Sequence, residues 1–166
     1  MKARIICTYS CPRSCEGCCN KDWPFEPARP IERYTDFNEI LLTGGEPLMF
    51  PERLWDLILQ IRKVTKTKIY IYTAAIEMPF ALNCMMKVAD GICLTLHTPN
   101  DIRLFNRFQS RFPIPKDRSM RLNIFEKIGY PKNTTGWAVK KDIRWLKQCP
   151  LPQDEILYKL PILWTR

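Results

Sequence analysis

Apolar residues in this chain come in two rhythms. Short runs, either β-branched or alternating with polar positions, recur at Ala3 to Tyr9, Glu39 to Thr43, Lys68 to Thr73, Ile92 to Leu96, Met120 to Phe125 and Glu155 to Leu163, and each predicts a strand. Between several of them the spacing lengthens to that of a helix. Pro51 opens one helix with Glu52 in its first turn, and Leu54, Leu57, Ile58 and Ile61 then fall on one face. Phe80 to Ala89 predicts a second helix, stopped by Gly91, and Ile102, Phe105 and Phe108 predict a third, ended before Pro113 and Pro115. Thr135 predicts the cap of a fourth, with Val139, Ile143 and Leu146 as its apolar face. The stretch from Trp23 to Pro30 is too rich in proline for a long helix and predicts a loop.

Strand and helix alternate about six times, a pattern that calls for parallel strands joined by helical crossovers. The fold class is therefore α/β, as an open doubly wound sheet or as all or part of a β/α barrel. Both place ligands at the C-terminal ends of the strands. Two unusual sequences directly follow predicted strands: CPRSCEGCCNKDW, beginning at Cys11, and Thr43-Gly44-Gly45-Glu46-Pro47. They are expected to meet on one rim of the sheet. No internal repeat or linker is visible, and 166 residues suit a single domain over 1–166.

The thiols change the picture most. Five of the eight cysteines fall in the first nineteen residues. The apolar run near the N-terminus is too short for a secretory leader or a membrane span, so the chain reads as cytoplasmic. In that compartment, clustered thiols point to metal binding or catalysis before disulfides. Structural zinc usually takes two cysteine pairs set apart. Here Cys11, Cys15 and Cys18 sit as C-x3-C-x2-C with no second pair, while Cys84, Cys93 and Cys149 are single residues in apolar settings and Cys7 reads as core. Three close thiolates suit a 4Fe-4S cluster with one iron left open for a reactant. Cys19 is either a bystander or a fourth ligand, and the bystander reading is the favoured one.

Charge adds a second feature. The net charge is +9, and Arg103 to Lys147 holds twelve Lys and Arg against three acids, whereas the rest of the chain has fourteen of each. Such a segment attracts an acidic partner or a polyanion, or is simply the solvated face of late helices.

A strand, then Cys11, Cys15 and Cys18 in that spacing, then a second strand ending in Gly44-Gly45-Glu46-Pro47, together resemble the radical S-adenosylmethionine superfamily. The resemblance implies a partial (β/α)6 barrel, minimal in size, and a 4Fe-4S cluster on the three cysteines. It also implies that the open iron takes S-adenosylmethionine and that one electron, from a donor such as flavodoxin or ferredoxin, splits the sulfonium to a 5'-deoxyadenosyl radical that abstracts hydrogen. Gly44, Gly45, Glu46 and Pro47 then match the motif contacting the methionine amino group. The glycines let backbone approach the ligand, while Glu46 either faces the ammonium or caps the next helix. Thr95 and His97, at the end of the fourth predicted strand, occupy the place where the superfamily holds ribose, with Thr73 and Asn123 as further candidates. His97 is the single histidine and has an alternative reading as a merely hydrogen-bonded imidazole. Where many members carry an aromatic residue before the third cysteine, this chain has Gly17.

Within the superfamily, the run Cys15 to Lys21 looks most like the activases of glycyl radical enzymes, the small anaerobic ribonucleotide reductase activase above all. That likeness weakens after Leu96. A short chain has little left for a lid, so a protein substrate would cover the radical site, with the basic segment as docking surface. Two alternatives stand beside it: a small-molecule or nucleotide-like substrate, as for a deazaguanine synthase, and a non-catalytic metal-cluster protein that binds nucleic acid. No membrane association is expected.

Overall fold

The computed structural model describes residues 1–23 and 27–165. Eight strands form one sheet: β1 Lys2–Thr8, β2 Arg29–Pro30, β3 Glu39–Gly44, β4 Lys68–Thr73, β5 Gly91–Leu96, β6 Ser119–Phe125, β7 Ala138–Ile143 and β8 Glu155–Trp164. The order is β2-β8-β1-β3-β4-β5-β6-β7, and every neighbouring pair is parallel. Three helices, α1 Pro51–Val64, α2 Pro79–Val88 and α3 Pro99–Arg111, connect β3 through β6.

Period-two alternation gives the two faces of this sheet opposite characters. Ile5, Leu42, Ile71, Ile92 and Met120 stand in register across five strands and are all buried. With Leu54, Leu57, Ile58 and Ile61 of α1, Met85 and Met86 of α2, and Phe105 and Phe108 of α3 they make the core. Burying each such large side chain contributes about 1.5–3 kcal/mol. The alternate positions carry Tyr72, Cys93 and Arg121 in one row and Thr95, Asn123 and Lys140 in another. Here Arg4, buried, pairs with Glu155, and its guanidinium lies 4.4 Å from the ring centroid of Tyr72. Thus one sheet face is apolar, and the other carries the polar groups among apolar ones such as Ile6 and Leu41.

Each helix begins where the sequence marks it. Pro51, Pro79 and Pro99 occupy first-turn positions, where a missing N–H costs nothing. α3 adds a reciprocal cap: Asp101 N–H donates to Thr98 Oγ1 and the Asp101 carboxylate accepts from Thr98 N–H. Among the described residues no helix is long and apolar enough to cross a membrane.

One expectation fails. The fourth predicted helix is strand β7. Thr135 lies in a turn closed by Asn133 Oδ1, Gly136 takes φ +88°, and the chain then pairs with the open edge of β6. Satisfying that row of backbone groups outweighs a sparse spacing of three apolar residues. Leu146, placed on the helix face, is exposed. The last predicted strand is present as β8, and it joins β1 on the side away from β3. Pro161 is tolerated because β2 pairs only with Tyr158 and Lys159. The Trp23–Pro30 loop contributes the short β2 at Arg29–Pro30, and positions 24–26 of that expectation lie outside the described residues.

Candidate functional site

At the C-terminal ends of the strands lies a cavity of 330 Å³. Its wall brings together Cys11, Cys15, Cys18, Gly44, Gly45, Glu46, Thr95 and His97, with Thr73 and Asn123. Pro47 does not line it; it is buried and opens the short helical turn Pro47–Met49. The two loops singled out in the sequence therefore do meet on one rim.

Backbone contacts hold that meeting. Gly45 N–H donates to Thr8 O at 2.6 Å and Glu46 N–H to Ser10 O at 2.8 Å. Gly44 has φ +119°, and a Cβ there would stand 2.5 Å from Thr8 O; a Cβ on Gly45 would overlap the Ser10 carbonyl. The diglycine is required first for close approach of two loop backbones, rather than only for approach of a ligand. Glu46 is spent likewise: its carboxylate accepts from Leu48 N–H at 3.0 Å, Thr73 Oγ1–H at 2.7 Å and Ala74 N–H at 2.9 Å. Burial raises its pKa, opposed by those same three donors. Its capping role is real, and it ties β3 to β4.

The cysteine loop is pinned from both sides by residues the sequence reading left without a role. Asn20 donates Nδ2–H to Gly44 O at 2.7 Å. Arg13, between the first two cysteines, reaches both Asp101 oxygens at 2.9 and 3.1 Å and Glu77 at 2.8 Å. Burial raises the thiol pKa of Cys11 and Cys15, and Arg13 opposes the rise at both. For Asp101, burial acts upward but the Arg13 hydrogen bonds and backbone donors at His97 and Thr98 win, holding it below its ordinary value. Among the described residues no three His, Cys, Asp or Glu side chains converge tightly enough to hold a metal ion as they stand. The three thiols share a wall; they do not form a closed coordination sphere.

Cys19 and Cys149 form a disulfide, 130 residues apart in sequence, and both line the cavity. Cys149 is thus not an apolar singleton, and Cys19 is tied to a distant segment. Cys84 is exposed, whereas Cys7 and Cys93 are buried as expected. The 144–149 segment brings Trp145, whose ring fills the space beside Gly17: a Cβ there would meet Trp145 Cε3 at 2.8 Å. Trp145 also stacks on His97 at 5.1 Å and meets Phe125 at a tilt, 4.1 Å between ring centroids. The ring beside Gly17 thus belongs to a residue 128 positions later in the chain. Burial lowers the His97 pKa to about 4, with Arg13 acting in the same direction, so the imidazole is neutral at pH 7. Its Nδ1 is buried without a hydrogen-bond partner among the described residues.

Fold and site define an α/β protein with one all-parallel sheet and a thiol-lined cavity at its C-terminal rim. No family model, no curated protein and no solved structure matches the chain.

Proposed function

We propose that this chain is a radical S-adenosylmethionine enzyme with a protein substrate, such as a glycyl radical enzyme, and an external electron donor of the flavodoxin or ferredoxin kind. The observation that carries the reading is the convergence of Cys11, Cys15 and Cys18 with the Gly44-Gly45 turn on a single cavity. The succession β1, β3, β4, β5, β6, β7 across the sheet is in chain order and supports a partial (β/α)6 barrel. β8 and β2 extend the sheet beyond β1, and no helix crosses over after β6 among the described residues.

The donor set suits a 4Fe-4S cluster, since three soft thiols from one short loop line one space, and Arg13 opposes the burial-driven rise in the thiol pKa of Cys11 and Cys15. Cluster and S-adenosylmethionine, when bound, supply the electron and the radical. The chain supplies placement. Asn20 and Arg13 hold the cysteine loop against the diglycine turn and α3, Thr95 and Asn123 offer hydrogen-bonding groups from adjacent strands, and the cluster of Trp145, His97 and Phe125 gives an aromatic wall for a planar base. A neutral imidazole adds no charge to that wall.

Anaerobic reconstitution with iron and sulfide, followed by dithionite and S-adenosylmethionine, tests the proposal: 5'-deoxyadenosine is expected, and its absence with the cluster fully loaded refutes it. Cys11→Ala, Cys15→Ala and Cys18→Ala should each abolish the intact cluster, whereas Cys19→Ala should retain it. A second reading, a small nucleotide-like substrate, draws on the 144–149 segment, which walls one side of the cavity. A glycyl radical signal that appears only with a protein partner separates the two.

A further inference from the structure

The basic surplus of the 103–147 segment is not scattered. Arg103, Arg107 and Arg111 recur every fourth residue and are all exposed, so they form one stripe along α3. Adjacent rungs are about 6 Å apart along the axis. Beside the stripe runs a groove of 480 Å³, with Arg103, Asn106, Arg107, Ser110 and Lys132 around a floor at Ile102. Its far bank is fastened, since Lys132 N–H donates to Asn106 Oδ1 at 2.8 Å. No carboxylate neutralises the stripe among the described residues: Arg103 bonds to the neutral amide of Asn100, and Arg111 lies over the rings of Phe80 and Phe112. The three acids of the segment are engaged elsewhere, Asp117 by Arg118, Glu126 by Arg144 and Asp142 by Tyr130.

The groove also has a direction. Its near end is Pro99, two residues past His97 in the thiol-lined cavity, and α3 is the element whose Asp101 holds Arg13 of the cysteine loop. α3 thus begins next to that cavity.

The geometry points to this groove as the docking site for an acidic polypeptide segment of the substrate protein, which approaches the cavity along α3. The inference rests on the proposed protein substrate and adds where and by what chemistry that protein is held. Guanidinium forks pair with carboxylates in bidentate geometry, and an apolar floor takes the aliphatic part of the segment. Single-stranded nucleic acid fits less well because it needs ring faces for base stacking. The two exposed aromatics near these cations have a face already covered, Phe80 by Arg111 and Tyr130 by Lys141.

The test is fluorescence anisotropy of an end-labelled oligoglutamate peptide against the full chain at an ionic strength of about 0.15 M. Two triple variants with equal charge loss are compared, R103A/R107A/K132A in the groove and K63A/K66A/K87A on other exposed positions. The groove triple is expected to weaken binding at least about tenfold and the control less than about threefold, with both keeping the wild-type circular dichroism melt. Equal losses in the two triples overturn the inference, as does failure of the wild type to bind the peptide. Labelled single-stranded DNA that binds more tightly than the peptide and loses more in the groove triple also overturns it, in favour of a nucleic-acid partner. Because the assay needs neither cluster nor cofactor, its failure is separable from failure of 5'-deoxyadenosine formation.

Discussion

Replacing Cys149 with serine removes the covalent tie between the cysteine loop and the segment that carries Trp145. The cystine closes a loop of 130 residues, and the chain-entropy relation puts the cost of releasing it at about 5 kcal/mol, nearly all of it through a less restricted unfolded chain. The folded side loses less. Cys149 N–H still donates to Asp22 Oδ2 at 2.8 Å, Trp23 Nε1–H still donates to Cys149 O at 2.8 Å, and Trp145 still stacks on His97. Domains of this size hold only about 5–15 kcal/mol in total, so the effect should be plain in urea denaturation followed by tryptophan fluorescence. Cys19→Ser, Cys149→Ser and the double variant should share one lowered midpoint, and a reductant should bring the wild type to the same value while leaving the variants unmoved. A drop under about 1 kcal/mol in Cys149→Ser, or a wild-type midpoint indifferent to reductant, would refute the reasoning.

Other outcomes follow from the same contacts. Gly45→Ala forces a methyl into the Ser10 carbonyl and should cost about 1–3 kcal/mol in thermal or urea unfolding, with lower cluster loading after reconstitution. Asn20→Ala loses the hydrogen bond to Gly44 O and should lower the urea midpoint by about 1 kcal/mol equivalent. His97, with its pKa lowered from 6.5 to about 4, stays neutral in the folded chain while the unfolded chain takes up a proton. The His97 contribution should therefore be level above pH 6.5 and fall between 6.5 and 4, by at most about 3 kcal/mol, against an opposite contribution from Glu46, whose pKa is raised; in pH-dependent denaturation the difference between wild type and His97→Asn isolates the His97 slope. Asp101 is depressed and loses its contribution only below its unfolded value of 3.8, so it leaves that window nearly untouched.

The helix-covered core was legible because its signals are local. The i, i+3, i+4, i+7 residues of α1 are its buried ones, Pro51 starts that helix, and alternating runs became β1, β3, β4, β5 and β6 within a residue or two. The stretch from Thr135 to Leu146 was not. Val139 and Ile143 fit a helix spacing on paper, yet an unpaired β6 edge beside them offered a full ladder of backbone hydrogen bonds, and no sequence window contains that edge. The same holds for β8, which could pair at either end of the sheet and was taken up beside β1, where Glu155 meets the buried Arg4.

For the site, the sequence by itself determined which chemistry is on offer: three close thiols after one strand, two glycines and a glutamate after another, and a rim on which parallel strands oblige them to meet. Only the tertiary structure decided how these groups are used. It committed Glu46 to Thr73 and Ala74, set Asn20 on Gly44 and Arg13 on Asp101, joined Cys19 to Cys149, and brought Trp145 to the gap left by Gly17. Each of these pairs lies 24 to 130 positions apart in the chain. Residue spacing encodes what a few turns of backbone can reach, whereas partners at that separation exist only once the whole sheet has closed the loops between them.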